Sequence, residues 1–89
     1  MRESLIEKKV CDYAKTKGML PLKFTPVGTT GYPDRIILCK GGAAFIEFKT
    51  LRGVPSPIQL VRIRELEVSG FRVAVVRTVE DGKRFIDGL

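Results

Sequence analysis

Eighty-nine residues, 44% of them apolar, suffice for one domain with a modest core and leave little room for a second. Two cysteines and no histidine argue against a four-ligand zinc site, and no apolar run approaches the ~20 residues of a membrane span. A net charge of +6 favours a polyanionic partner, nucleic acid first, whereas the absence of tryptophan and an aromatic content of 8% argue against a binder of stacked single-stranded bases. The start, Met1-Arg2-Glu3-Ser4, lacks a signal-peptide hydrophobic region. Cys11 and Cys39 each sit in an apolar pattern and read as core thiols in a reducing cytoplasm.

Residues 3–17 predict a helix. Ile6, Val10, Tyr13 and Ala14 recur at i, i+4, i+7 and i+8, Lys15 and Lys17 suit the C-terminal end of the dipole, and Gly18 is the stop. Leu20 to Thr25 reads as a strand, and 26–33 as a loop rich in glycine and proline. Residues 35–39 and 43–49 should form a hairpin around Lys40-Gly41-Gly42. After a polar loop, Ser56-Pro57-Ile58-Gln59 starts a helix that runs to about Ser69: serine caps, proline suits the first position, and Gln59 can close a capping box. Leu60, Ile63 and Leu66 mark one apolar face of it. Ile58, Val61 and Val68 mark a second, which is either a dimer surface or packed under a terminal helix. Phe71 to Val76 reads as a strand covered on both faces, and 79–87 as a short helix. Residues 1–89 therefore form a single α/β domain, a small mixed sheet flanked by helices in the order α-β-β-β-α-β-(α). The hairpin is antiparallel, and the last strand joins in parallel through a right-handed crossover.

The chemistry concentrates in Pro33-Asp34 and, beyond the hairpin turn, Glu47-Phe48-Lys49. Residues two apart on a strand share a face, so Glu47 and Lys49 point one way and Phe48 the other. A charged pair closing an apolar strand is poor core and good active site. Asp34 and Glu47, at the ends of adjacent strands, can bind one hard divalent cation, with the backbone carbonyl of Phe48 beside them. Such a cation activates water and neutralises charge on a phosphodiester. Lys49 could orient the attacking water or stabilise the transition state. Gly31 leaves room for backbone or a phosphate, and Pro33 stiffens the turn.

The ordered series Gly31-Tyr32-Pro33-Asp34-Arg35, Gly41, Glu47-Phe48-Lys49, Gly53, Ser56 and Gln59 resembles the virus-type replication-repair nuclease (VRR-NUC) domain, a branch of the PD-(D/E)XK nuclease superfamily. The resemblance runs from Glu3 to about Val79. It implies a restriction-endonuclease-like core in which Asp34 and Glu47 bind Mg²⁺ or Mn²⁺, Lys49 is the catalytic lysine and Gln59 is the helix glutamine that supports the site. It also implies a glutamate on the first helix. Glu3 and Glu7 lie one turn apart on the same helix side, and either could reach the metal through water; Glu7 is farther from the fraying terminus. Lys23, Gly31, Arg35, Arg52, Ser56 and Arg62, with Arg64, are candidate DNA contacts.

The activity implied is metal-dependent endonucleolytic cleavage of DNA. One active site per small domain cuts two strands symmetrically only as a dimer, and stand-alone members of the family look like homodimers that resolve four-way junctions. The expected protein is a homodimeric Holliday-junction resolvase in a bacterial cytoplasm, encoded by the host or by a phage. The alternatives are a flap or nicking nuclease targeted by a partner, and a DNA-binding module without catalysis. Sequence-specific restriction is disfavoured, because no insertion is long enough to read base edges.

Overall fold

The computed structural model describes residues 1–89. Its elements are α1 (Glu3–Thr16), β1 (Leu20–Lys23), β2 (Arg35–Cys39), β3 (Gly42–Phe48), α2 (Pro57–Val68), β4 (Arg72–Val76) and α3 (Val79–Asp87). The order and type of every element agree with the expectation from sequence. The four strands lie in the order β1-β2-β3-β4. β1 with β2 and β2 with β3 are antiparallel, while β4 joins β3 in parallel after α2. A tight turn can reverse the chain, but a parallel neighbour needs the longer helical connection. The hairpin turn puts Lys40 at φ 38° and Gly41 at φ 76°, so two successive residues are left-handed, as tight hairpins with the native twist require.

The two faces of the sheet differ in kind. On one, Ile37, Ile46, Phe48 and Val76 meet Ile6, Val10 and Ala14 of α1 and Ile86 of α3, and these eight form the buried core. On the other, Phe45 packs edge-to-face on Phe24 and Phe71, with ring centroids 5.1 and 5.5 Å apart, beneath α2. Alternation along β3 places Glu47 on this second face, one step beyond Phe45. The first face is apolar and closed by α1 and α3. The second is thinly covered, and its open end is where charge accumulates.

Several local expectations need correction. β1 stops at Lys23 rather than Thr25: the Phe24 N–H still donates to the Asp34 carbonyl, but Pro26 follows and has no N–H to continue a ladder. β4 is an edge strand. Arg72 is exposed and only Val76 is fully buried, so the strand covered on both faces is β3, whose last five residues are all buried. In α2 no residue is fully buried, and Leu60, expected in its apolar face beside the half-buried Ile63 and Leu66, is 54% exposed. Nor does α3 cover Ile58, Val61 and Val68, because it packs on α1 across the sheet. Cys11 and Cys39 are free thiols, buried and half-buried respectively. No helix is long and apolar enough to cross a membrane.

Candidate active site

Asp34 ends the loop that leads into β2, and three features hold it there. Pro33 is fully buried. The backbone carbonyl of Asp34 accepts from the Phe24 N–H at 3.0 Å. Oδ2 of its carboxylate accepts from the Phe48 N–H at 2.8 Å. Gly31 sets the approach: at φ 86°, a Cβ there would lie 2.9 Å from Cγ1 of Ile58, so only glycine lets this loop pass under the start of α2. In an extended strand the N–H and carbonyl of one residue lie on the same side. The Phe48 carbonyl therefore shares a strand edge with the N–H that binds Asp34.

Glu47 is 3% exposed, the one charged residue among the buried set. Its oxygens are treated unequally. Oε2 receives the side-chain N–H of Gln59 at 3.0 Å and lies 3.4 Å from the Lys49 ammonium. Oε1 is buried without any hydrogen-bond partner. Burial, and then the negative charge of Asp34, push the Glu47 carboxyl up to about 7, against the opposing pull of Lys49. Burial also raises Asp34, a shift opposed by the Phe48 N–H and reinforced by the charge of Glu7. Two carboxylates held side by side, both resisting ionisation, one with an orphaned oxygen, are the donor set of a hard cation. The residues fit a divalent metal.

Gln59 fills both roles read from the sequence. Its side-chain oxygen accepts from the Ser56 N–H at 2.9 Å and its backbone N–H reaches Oγ of Ser56 at 3.3 Å, a complete capping box. Its side-chain nitrogen remains for Glu47. Ser56 is thereby spent on the helix cap.

The other expected residues are distributed differently. Glu7 lines one cleft with Lys23, Thr30, Gly31 and Asp34, so Lys23 and Gly31 face the groove. Arg35 does not serve as a free phosphate contact: its guanidinium binds Glu7 at 2.6 Å and the Pro21 carbonyl at 2.9 Å. Arg62 is likewise turned inward, donating to the Thr30 carbonyl and to Glu65 at 2.9 Å each and lying 4.9 Å from the Tyr32 ring centroid. Arg52 lines a separate cleft with Ile6, Leu51, Arg77 and Val79 that contains neither Asp34 nor Glu47. Glu3 is exposed, and its charge is felt at Glu47 rather than at Asp34. No three or more acidic, cysteine or histidine side chains converge as a metal cluster. Asp34 and Glu47 stand as a pair, and Glu7 shares a cleft with Asp34.

Two contacts were not legible in the sequence. Arg77 donates to the Gly53 carbonyl at 2.7 Å and pins the loop that follows Lys49. Tyr32 donates to Glu65 at 3.0 Å, tying the Pro-Asp turn to α2. Both join residues more than twenty positions apart, beyond any local pattern.

Among solved structures the chain is similar to one described as a VRR_NUC domain, with a TM-score of 0.87 and 26% identity, covering 96% of this chain and 94% of that one. No family model and no curated protein matches.

Proposed function

We infer that this chain, which carries the VRR-NUC fold, is a divalent-metal-dependent nuclease of the PD-(D/E)XK type that hydrolyses DNA phosphodiesters. The single observation that supports this most is Glu47, buried with one oxygen held by Gln59 and Lys49 and the other left bare beside Asp34. A pure binding module has no use for two carboxylates that resist ionisation where a phosphate must approach.

Asp34, Oε1 of Glu47 and the Phe48 carbonyl would hold Mg²⁺ or Mn²⁺, with Glu7 or Glu3 acting through water. When bound, the cation supplies charge neutralisation at the scissile phosphate and acidifies a water. The chain's own residues supply the rest. Lys49, fixed by Glu47, orients the attacking water and offsets negative charge on the phosphoryl oxygens as they develop it. Gln59 keeps Glu47 from rotating. Lys23 and Gly31 line the groove through which the strand passes.

The substrate is branched DNA, a four-way junction cut symmetrically by a homodimer. A chain of 89 residues with one carboxylate pair has one site per copy, and its net charge of +6 suits a junction dense in phosphate. The test is cleavage of labelled four-way junction, flap and duplex in Mg²⁺, Mn²⁺ or EDTA, beside Lys49→Ala. Paired symmetric nicks in the junction, lost in EDTA and in the variant, are expected. Binding without metal-dependent cutting of any substrate would overturn the nuclease reading.

A further inference from the structure

We propose that the outward face of α2 is the surface on which a second copy of this chain docks, as an antiparallel helix pair about a two-fold axis between residues 64 and 65. Gln59, Ile63 and Leu66 face the sheet and are half-buried. At ~100° per residue the opposite side consists of Val61, Arg64, Glu65 and Val68, the i, i+3, i+4, i+7 pattern of a helix seam. All four are exposed, Val61 by 52% and Val68 by 72%, and with Leu60 they line one shallow apolar groove. α3, the other element available to cover them, packs on α1.

The pattern is self-complementary. A two-fold axis between residues 64 and 65 sets Val61 against Val68 of the second copy and Val68 against its Val61. It also sets Arg64 against the second copy's Glu65, and the reverse. Within the chain Arg64 makes no ion pair or hydrogen bond, while the Glu65 side chain is 44% exposed, its Oε1 accepting from Arg62 and its Oε2 from Tyr32, so that a second cation could bind only by sharing these oxygens. An unpaired cation adjacent in sequence to an exposed carboxylate whose oxygens can each accept a further bond, flanked by two valines seven apart, suits a copy of itself in antiparallel register. A parallel register would set Arg64 against Arg64. The pairing carries the two Glu47–Gln59 centres, each at the start of its own α2, to opposite ends of the helix pair. This consequence rests on the nuclease reading above; the association itself does not.

The experiment is sedimentation equilibrium of the full chain without DNA, with nuclease activity assayed in parallel. Wild type is expected to dimerise. Val61→Asp and Val68→Lys each weaken self-association by about 100-fold, since each removes two apolar contacts per dimer. The double variant sets the introduced carboxylate of one copy against the introduced ammonium of the other at both contacts and recovers most of the loss. Circular dichroism shows each variant folded, since neither position is buried. A monomeric wild type, a dimer indifferent to both single changes, or a double variant weaker than either single overturns the proposal. A dimer that behaves as expected but cuts nothing leaves this surface standing and removes the nuclease reading alone.

Discussion

Gln59 binds Oε2 of Glu47 at 3.0 Å and leaves the partner oxygen of the same carboxylate buried and bare. One side chain thus does two jobs, closing the N-terminus of α2 and aiming a candidate metal ligand. The jobs separate by mutation. Ser56→Ala removes the hydroxyl half of the cap and should cost about 1 kcal/mol with cleavage unaffected. Gln59→Ala removes both the back-bond to Ser56 and the bond to Glu47. It should cost a similar amount of stability and also lower metal affinity or cleavage by about 10- to 100-fold. Thermal melts and metal titrations of the two variants check this; equal cleavage in both would reduce Gln59 to a helix cap.

The raised Glu47 carboxyl makes the fold pH-sensitive in a direction opposite to that of an ion-paired carboxylate. The unfolded chain releases this proton near 4.5 and the folded chain near 7. Between those values the folded state holds more protons, so stability is fully present below about 4.5 and falls as pH rises through about 7. Asp34, shifted the same way, adds to the slope. Melting in EDTA from pH 4 to 8.5 should show a steeper decline for wild type than for Glu47→Gln. Mg²⁺ or Mn²⁺ at pH 8 should raise the melting temperature of wild type and not of the variant, since a ligand bound only by the folded state stabilises it. Parallel pH curves with no cation effect would count against a metal at this carboxylate.

Lys49 acts on Glu47 as well as on any substrate. Its charge opposes the upward shift of Glu47, so Lys49→Ala should leave that carboxyl protonated at still higher pH. The expected result is a cleavage loss of about 100- to 1,000-fold, with residual activity that rises toward alkaline pH. Lys49→Arg keeps the charge but replaces a compact ammonium with a planar fork and should recover little activity. A pH–rate profile for each variant, alongside junction binding without metal, separates the two effects. Restoration of full activity by arginine would mean that charge alone is needed.

The sequence was most legible where chemistry and local structure used the same residues. Ser56-Pro57-Ile58-Gln59 announced a capped helix and the capping box is present. Gly41 marked the hairpin, and alternation put Glu47 and Lys49 on one face. What stayed hidden depends on residues distant in sequence. Phe71 to Val76 reads as a doubly covered strand because its centre is continuously apolar, yet strand order makes it an edge. Arg35 and Arg62 look like free cations until the fold brings Glu7 to one and the Thr30 carbonyl to the other. Charge count alone overstates the basic surface available to DNA by these two residues.

The two glutamates of α1 can be told apart. Glu7 is ion-paired with a partly buried Arg35, whereas Glu3 is exposed and makes no ion pair. Glu7→Gln leaves that guanidinium without its counter-charge and should cost about 1–3 kcal/mol. Glu3→Gln should change stability negligibly. If Glu7 also reaches the metal through water, its variant loses cleavage beyond what its melting temperature explains. The check is activity at a temperature where both variants are fully folded, and equal activity there would leave Glu7 a structural partner of Arg35.

Gly82 sits mid-helix in α3, where propensity alone says alanine would stabilise by about 1 kcal/mol. The packing says the reverse. Gly82 is buried against α1, and an added Cβ would lie 2.9 Å from Cγ1 of Val10 and closer still to Cγ2. Val10 is itself fully buried, and a β-branched side chain in a helix is held to one strongly preferred χ1, so the two helices would have to separate. Gly82→Ala should therefore destabilise by about 1–3 kcal/mol, the usual cost of overpacking. Val10→Ala in the same chain should relieve much of it, because the two substitutions share one contact. Denaturant titrations of the two single variants and the double variant give the coupling. A stabilised Gly82→Ala would mean that α1 and α3 can separate at little cost, and that the glycine is not required by the helix contact.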